Sequence, residues 1–183
     1  MTPGFKEWAV VTKALGAGQF ALILRKGGIH EGKGGFSVEH NRFWLFPTGF
    51  HQHADKVREL MVEADGGAEP EVRVPLEVVA EAVDIYKVCD LSQLEALAPY
   101  HPWRPEVAAE RFAFGKWQGV FAIVVRAWRL DAPQWVAQEP SFGGCKSWVE
   151  LPVAFPAADG LIPAMEESRF ENIRSAVRSR LVG

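Results

Sequence analysis

The segment "GVFAIVVRAWRL" (residues 119–130) constrains the fold more than any other part of the chain. It is rich in β-branched and aromatic residues, which favour an extended backbone. A second apolar run, "QFALILR" (residues 19–25), follows a glycine-rich stop and is too short to form a separate helix there. Neither run has a polar face, so we predict that both are buried strands of one sheet.

The other patterns mix helices with strands. Apolar residues from Phe5 to Leu15 recur at helical spacing, and they predict a short helix that the glycines at 16 and 18 end. Further helices are predicted over Thr48–Met61, after an Asp90 N-cap, from Pro105 to Phe112, and near residues 164–181. Further strands are predicted within residues 35–47, 72–88 and 145–152.

The chain of 183 residues is long enough for one substantial domain. We predict a single α+β domain over residues 1–183, built on a mixed β-sheet or a small barrel flanked by helices. The segment "ADGGAEPE" (residues 64–71) is predicted to be a surface linker.

Composition bounds the function. The net charge of −3 argues against a strongly cationic protein that coats nucleic acid, although it allows a local basic patch. Cys89 and Cys145 fit no disulfide framework, and we interpret them as reduced and mostly structural, with Cys145 a buried thiol; reduced cysteines are typical of the cytoplasm. No signal peptide is recognised and no apolar stretch reaches about 18 residues, so we expect no membrane partner.

Arg25 and Lys26 end the first apolar run and enter a glycine-rich segment. Glycine lets the backbone approach an anion closely, so this position could hold a phosphate or a carboxylate. The segment lacks both the P-loop pattern and the G-x-G-x-x-G dinucleotide pattern. A hairpin connection with solvated charges remains the alternative.

A group of carboxylates and histidines follows. Glu39, His40, His51 and His53 are suitable metal ligands, but on a helix the side chains of His51 and His53 would diverge. Glu31 and Lys33 match the E-x-K half of a nuclease signature, although no aspartate precedes Asp55. We therefore expect no metal and no cofactor. If the protein is an enzyme, the candidate catalytic residues are Glu31, Glu39, His40 and His51.

Several segments carry a family resemblance. "KEWAVV", "LILRKGGIHE", "FWLFPTGFHQH", "RFAFG" and "GCKSWVEL" resemble the bacterial domain-of-unknown-function family 1802, over roughly Phe5 to Leu151. The resemblance supplies no catalytic residues.

A more distant resemblance concerns the opening of ASCH and PUA-like domains, which carry G-x-K-x-x-E-x-R at the start of a strand. Gly18 and Arg25 match the two ends of that motif, whereas Phe20 and Ile23 replace its lysine and glutamate. The resemblance implies a PUA-like pseudo-barrel. It also implies RNA or DNA as a partner, because PUA-like domains commonly bind nucleic acid without catalysis.

Three hypotheses follow. In the first, the protein is a nucleic-acid-binding module in which Arg25, Lys26 and Arg42 contact phosphate and Trp44 or Phe46, if exposed, offers a stacking surface. In the second, the Glu/His group of residues 31–53 serves a metal-dependent phosphodiesterase or nuclease. In the third, the protein is a non-catalytic interaction protein. The sequence predicts no oligomeric state.

Overall fold

The computed structural model describes residues 1–27, 29–32, 35–49 and 73–182. The strands are β1 (Thr2–Trp8), β2 (Leu22–Arg25), β3 (Ile29–Gly32), β4 (Gly35–Val38), β5 (Arg42–Thr48), β6 (Arg73–Val88), β7 (Val120–Ala137), β8 (Trp148–Leu151) and β9 (Ile162–Pro163). The α-helices are α1 (Ala9–Gly16), α2 (Leu91–Ala96), α3 (Pro105–Ala113) and α4 (Glu167–Val182).

Seven of these strands form one mixed sheet. Its order is β2-β7-β6-β5-β1-β8, with β9 added beside β7, and β3 pairs with β4 as a separate hairpin. The β1–β5 pair is parallel, whereas the other pairs in the sheet are antiparallel. Among the described strands the sheet is not closed into a barrel, so the mixed-sheet form of the predicted α+β fold is confirmed.

The long β6–β7 ribbon bends the sheet. Its register shifts twice, between Leu76 and Val78 and between Ala82 and Asp84. Such irregularities bend a strand and increase its local twist. They therefore account for a sheet that coils toward its own far edge.

Two apolar cores lie on this sheet. The larger contains the apolar faces of α1, α3 and α4, through residues such as Leu15, Phe112 and Phe170. The smaller core contains Trp44 and Phe142. The large number of aromatic residues is thus used mainly for packing, since each ring can bury ~150–250 Å².

Most predicted elements are confirmed. Both apolar runs form strands, Asp90 caps α2 by accepting a hydrogen bond from the Ser92 amide at 2.8 Å, and Pro105 begins α3. The predicted helix from Phe5 is wrong in its first part, because residues 2–8 pair with β5 and β8 and the helix begins only at Ala9.

Two predicted segments cannot be compared with the fold. All but the first two residues of the Thr48–Met61 segment, and the whole linker at residues 64–71, lie outside the described residues. None of the described helices is long and apolar enough to cross a bilayer.

Candidate nucleic-acid interface

Arg25 bridges the two edges of the coiled sheet. It lies at the end of edge strand β2, yet it donates hydrogen bonds to the Lys6 carbonyl in β1 at 2.9 Å and to Ser147 Oγ, next to β8, at 3.0 Å. The β2 and β8 strands are not paired. Side-chain hydrogen bonds therefore connect the parts of the sheet that the strand ladder leaves apart.

A buried carboxylate lies beneath this bridge. Glu7 is only 1% exposed, and its Oε2 lies 3.6 Å from Arg25 Nη1. Its Oε1 accepts a hydrogen bond from the Trp8 amide at 2.8 Å, whereas Oε2 accepts none from the described residues. A buried charge needs partners of opposite sign, and here the guanidinium of Arg25 supplies one.

Arg111, from helix α3, completes what we call the Glu7 cluster: Glu7, Arg25 and Arg111. Its guanidinium carbon lies 3.7 Å from the ring centre of Trp103 and 5.1 Å from that of Trp8. Burial lowers the pKa of Arg111, Glu7 raises it, and Arg25 lowers it further. The cluster thus holds two cations against one carboxylate, with a net charge of +1.

Lys26 points to the other side and fastens the α3–β7 loop. Its Nζ donates hydrogen bonds to the carbonyls of Phe112 at 2.9 Å and Trp117 at 2.6 Å, and it lies 4.3 Å from the ring centre of Trp117. Burial lowers the pKa of Lys26, and Cys89 opposes that shift. Both predicted cations at the strand end are therefore engaged by the fold itself.

The same loop presents aromatic and basic side chains to solvent. Phe114 is 74% exposed and Lys116 is exposed in this loop, and the exposed Lys87 of β6 has its Nζ 5.5 Å from the Trp117 ring centre. We call Lys26, Lys87, Phe114, Lys116 and Trp117 the Trp117 surface. It combines three cations with two rings, which is the composition of a surface that contacts nucleic acid.

The other predicted binding residues lie elsewhere. Trp44 has no exposed area and packs in the smaller core, so the expectation of a stacking surface there is wrong. Phe46 is buried as well. Arg42 is exposed, and its guanidinium carbon lies 5.2 Å from the ring centre of Phe155.

The predicted metal ligands are only partly described. Glu39 and His40 are exposed neighbours, with Oε1 and Nε2 3.9 Å apart. His51 and His53 lie outside the described residues, and of Glu31 only the backbone, in β3, is described. Within the described part of the chain, no three histidine, cysteine or acidic side chains converge as metal ligands.

Both cysteines are free and exposed. The prediction that Cys145 is a buried thiol is therefore wrong. Cys89 directly follows β6, and Cys145 lies in the loop before β8.

Residues 4–176 match the family described as Domain of unknown function (DUF1802). The chain belongs to this family. The crystal structure of ASCH from Zymomonas mobilis resembles this DUF1802 domain with a TM-score of 0.50, at 13% identity, over 81% of this chain and 86% of that chain. The crystal structure of a mutant of the same Zymomonas mobilis protein has a TM-score of 0.48 and 13% identity, over 81% of this chain and 88% of that chain. No curated protein matches the sequence.

At this level of identity the likeness concerns the fold alone. The predicted family is confirmed, and the predicted resemblance to ASCH domains is confirmed for the fold.

Sequence reasoning missed Glu7, Arg111, Phe114 and Trp117 in this DUF1802 domain. The segment "RFAFGKWQG" (residues 111–119) did carry a signal, because aromatic residues alternate there with basic and glycine residues. Glu7 carried none: an isolated glutamate in an apolar segment is usually solvent-exposed, and only the tertiary structure shows it to be buried.

Proposed function

We propose that this DUF1802 domain is a nucleic-acid-binding module and that single-stranded RNA or DNA contacts the Trp117 surface. The observation that carries the proposal is the exposure of Phe114 in the same loop as Trp117, whose ring has the Lys26 and Lys87 ammonium groups within 5.5 Å of its centre. The Phe114 ring is 74% exposed, so it buries little apolar area in the fold. Nucleic-acid bases of any sequence can stack on such a ring.

Charge supports the same assignment. The chain as a whole carries −3, so phosphate attraction has to be local. Lys87 and Lys116 are exposed, and they are the two cations of the Trp117 surface that we assign to phosphate contacts. Lys26 holds the loop in place through its two carbonyl contacts, so its role is to position Trp117.

The Glu7 cluster supports this surface from inside. Arg111 precedes the Phe112 carbonyl to which Lys26 binds, so the cluster and the Trp117 surface share the end of α3. The likeness to PUA-like domains at Gly18 and Arg25 agrees with a binding role, since such domains commonly bind nucleic acid. Free cysteines at two exposed positions agree with a reducing compartment, and we assign the protein to the cytoplasm.

Replacing Phe114 with alanine should weaken the binding of a single-stranded oligonucleotide about tenfold, because base stacking on an aromatic ring contributes ~1–3 kcal/mol. Fluorescence anisotropy at low salt measures the change. Trp135→Ala is the matched control: it removes another exposed ring, 45% exposed, from the far half of β7 and should leave the affinity unchanged. Equal losses in both variants, or no binding by the unaltered protein, would contradict the proposal.

The salt dependence counts the phosphate contacts. The two contacts at Lys87 and Lys116 contribute about −1.4 to −1.8 to the log–log slope, at roughly −0.7 to −0.9 per contact. The Lys87→Ala/Lys116→Ala double variant should lose that contribution. The control Arg73→Ala/Arg129→Ala removes two exposed cations elsewhere and should keep the original slope. A slope that falls equally in both would show non-specific attraction only.

Metal content separates this proposal from the phosphodiesterase hypothesis. Since the spacing of His51 and His53 does not favour a shared site, purified protein should contain much less than one zinc per chain by elemental analysis. A full zinc equivalent that disappears in His40→Ala would instead support the enzyme.

A further inference from the structure

The loop before β8, residues 143–147 with the sequence "GGCKS", presents backbone amides to solvent. The Gly143 amide donates to the Pro140 carbonyl at 3.0 Å. The next three amides, at residues 144–146, donate to no acceptor among the described residues, and all three residues are exposed. Gly144 has a φ of +78°, the left-handed conformation that glycine readily adopts and that anion-binding turns use to bring successive amides together.

Three cations surround this loop. Lys6 Nζ donates to the carbonyls of Phe142 and Gly144, at 2.8 Å each, and Arg25 donates to Ser147 Oγ at 3.0 Å. The third cation is the exposed Lys146. Burial lowers the pKa of Lys6, and Cys145 opposes the shift, whereas Lys146 and Arg25 add to it.

The carboxylate near this group does not neutralise it. Glu7 is already the ion-pair partner of Arg25, at 3.6 Å, and it also raises the pKa of Arg111. Each of the loop carbonyls that Lys6 engages carries only a partial charge. The loop therefore combines a net positive potential with several amides that still need acceptors.

We propose that residues 143–147 form a binding site for a phosphate group, held by the amides of residues 144–146 and by Lys146, with Lys6 and Arg25 providing the positive potential. Consecutive backbone amides in such a turn form an anion-binding concavity, and glycine lets the phosphate approach the chain closely. The Gly144 position has open space around its Cα, so no side chain blocks the approach.

This site extends the proposed function. The assignment of nucleic acid as the molecule that supplies the phosphate rests on that proposed function. Arg25 contacts the loop, and the adjacent Lys26 contacts the Trp117 surface, so one dipeptide connects the two sites. We infer that a single nucleic-acid strand places one of its phosphates in the loop while its bases lie on the Trp117 surface.

The experiment is a pair of titrations followed by amide chemical shifts of the isotope-labelled full chain. One titration uses inorganic phosphate, and the other uses a single-stranded oligonucleotide. The amides of residues 144–146 should shift in both titrations. Lys146→Ala should weaken phosphate binding about three- to fivefold, the size expected for one exposed ion pair. Arg169→Ala removes an exposed cation from α4, outside both proposed sites, and as the charge-matched control it should not change the phosphate affinity.

The outcomes separate the two proposals. If the oligonucleotide binds but the amides of residues 144–146 do not move in either titration, the loop site is refuted and the proposed function stands. If phosphate moves these amides and no oligonucleotide binds, the loop site stands as a site for a small phosphorylated ligand and the proposed function fails. Equal phosphate affinities of the Lys146→Ala and Arg169→Ala variants would also refute the loop site.

Discussion

Replacing Glu7 with alanine should lower the free energy of unfolding by about 3–5 kcal/mol, the cost of breaking a buried ion pair by removing one partner. Glu7 is 1% exposed, pairs with Arg25 at 3.6 Å and acts on the charge of Arg111, so its removal would leave both cations without their carboxylate. The Trp8 amide would lose its acceptor as well. Urea unfolding monitored by tryptophan fluorescence measures the change.

Two further variants decide the cause. Glu7→Gln keeps an acceptor for the Trp8 amide but removes the charge. Its free energy of unfolding should therefore still fall by most of the amount expected for Glu7→Ala. Glu150→Ala removes an exposed carboxylate from β8 and should change the free energy of unfolding by less than about 0.5 kcal/mol. If Glu7→Gln unfolds at the same urea concentration as the unaltered protein, the charge of Glu7 does not contribute to the stability, and the prediction is wrong.

Replacing Gly18 with alanine should have an effect of similar size, at least about 4 kcal/mol, or prevent folding. Gly18 has a φ of +67°, and a Cβ atom there would overlap the carbonyl oxygen of Ala164. That oxygen belongs to the backbone next to β9, so no rotamer change can relieve the overlap. The midpoint of urea or thermal unfolding reports the loss.

Gly115→Ala is the matched control for that prediction. Gly115 has a similar φ of +84°, but a Cβ atom there meets nothing within 4 Å. Its cost should be limited to the left-handed backbone, about 1–2 kcal/mol. The difference between the two variants measures the close approach of the chain at Gly18. Equal losses would show that this approach can relax without cost.

The same glycine shows how the sequence resemblance and the structure relate. Gly18 is one of the two positions that match the opening motif of ASCH domains, and Arg25 is the other. The structure gives each a physical reason: Gly18 allows the chain after β9 to pass closely, and Arg25 joins the two edges of the sheet. Neither reason requires the lysine and glutamate that this chain lacks at Phe20 and Ile23.

The sequence by itself determined the local elements. The two long apolar runs form strands because no helix could hide their continuous apolar surface, and the Asp90 and Pro105 signals set helix starts through their own backbone chemistry. The first seven strand residues were missed because an apolar spacing of three or four also fits part of a buried strand.

Only the tertiary structure decided which side chains meet and which are exposed. Arg25 and Ser147 are 122 positions apart in the chain, and the coil of the β6–β7 ribbon brings them to 3.0 Å. Trp44 and Phe114 are both aromatic residues in mixed segments, yet one is buried and the other is 74% exposed. Burial depends on which distant element covers a side chain, and that information is not contained in local spacing.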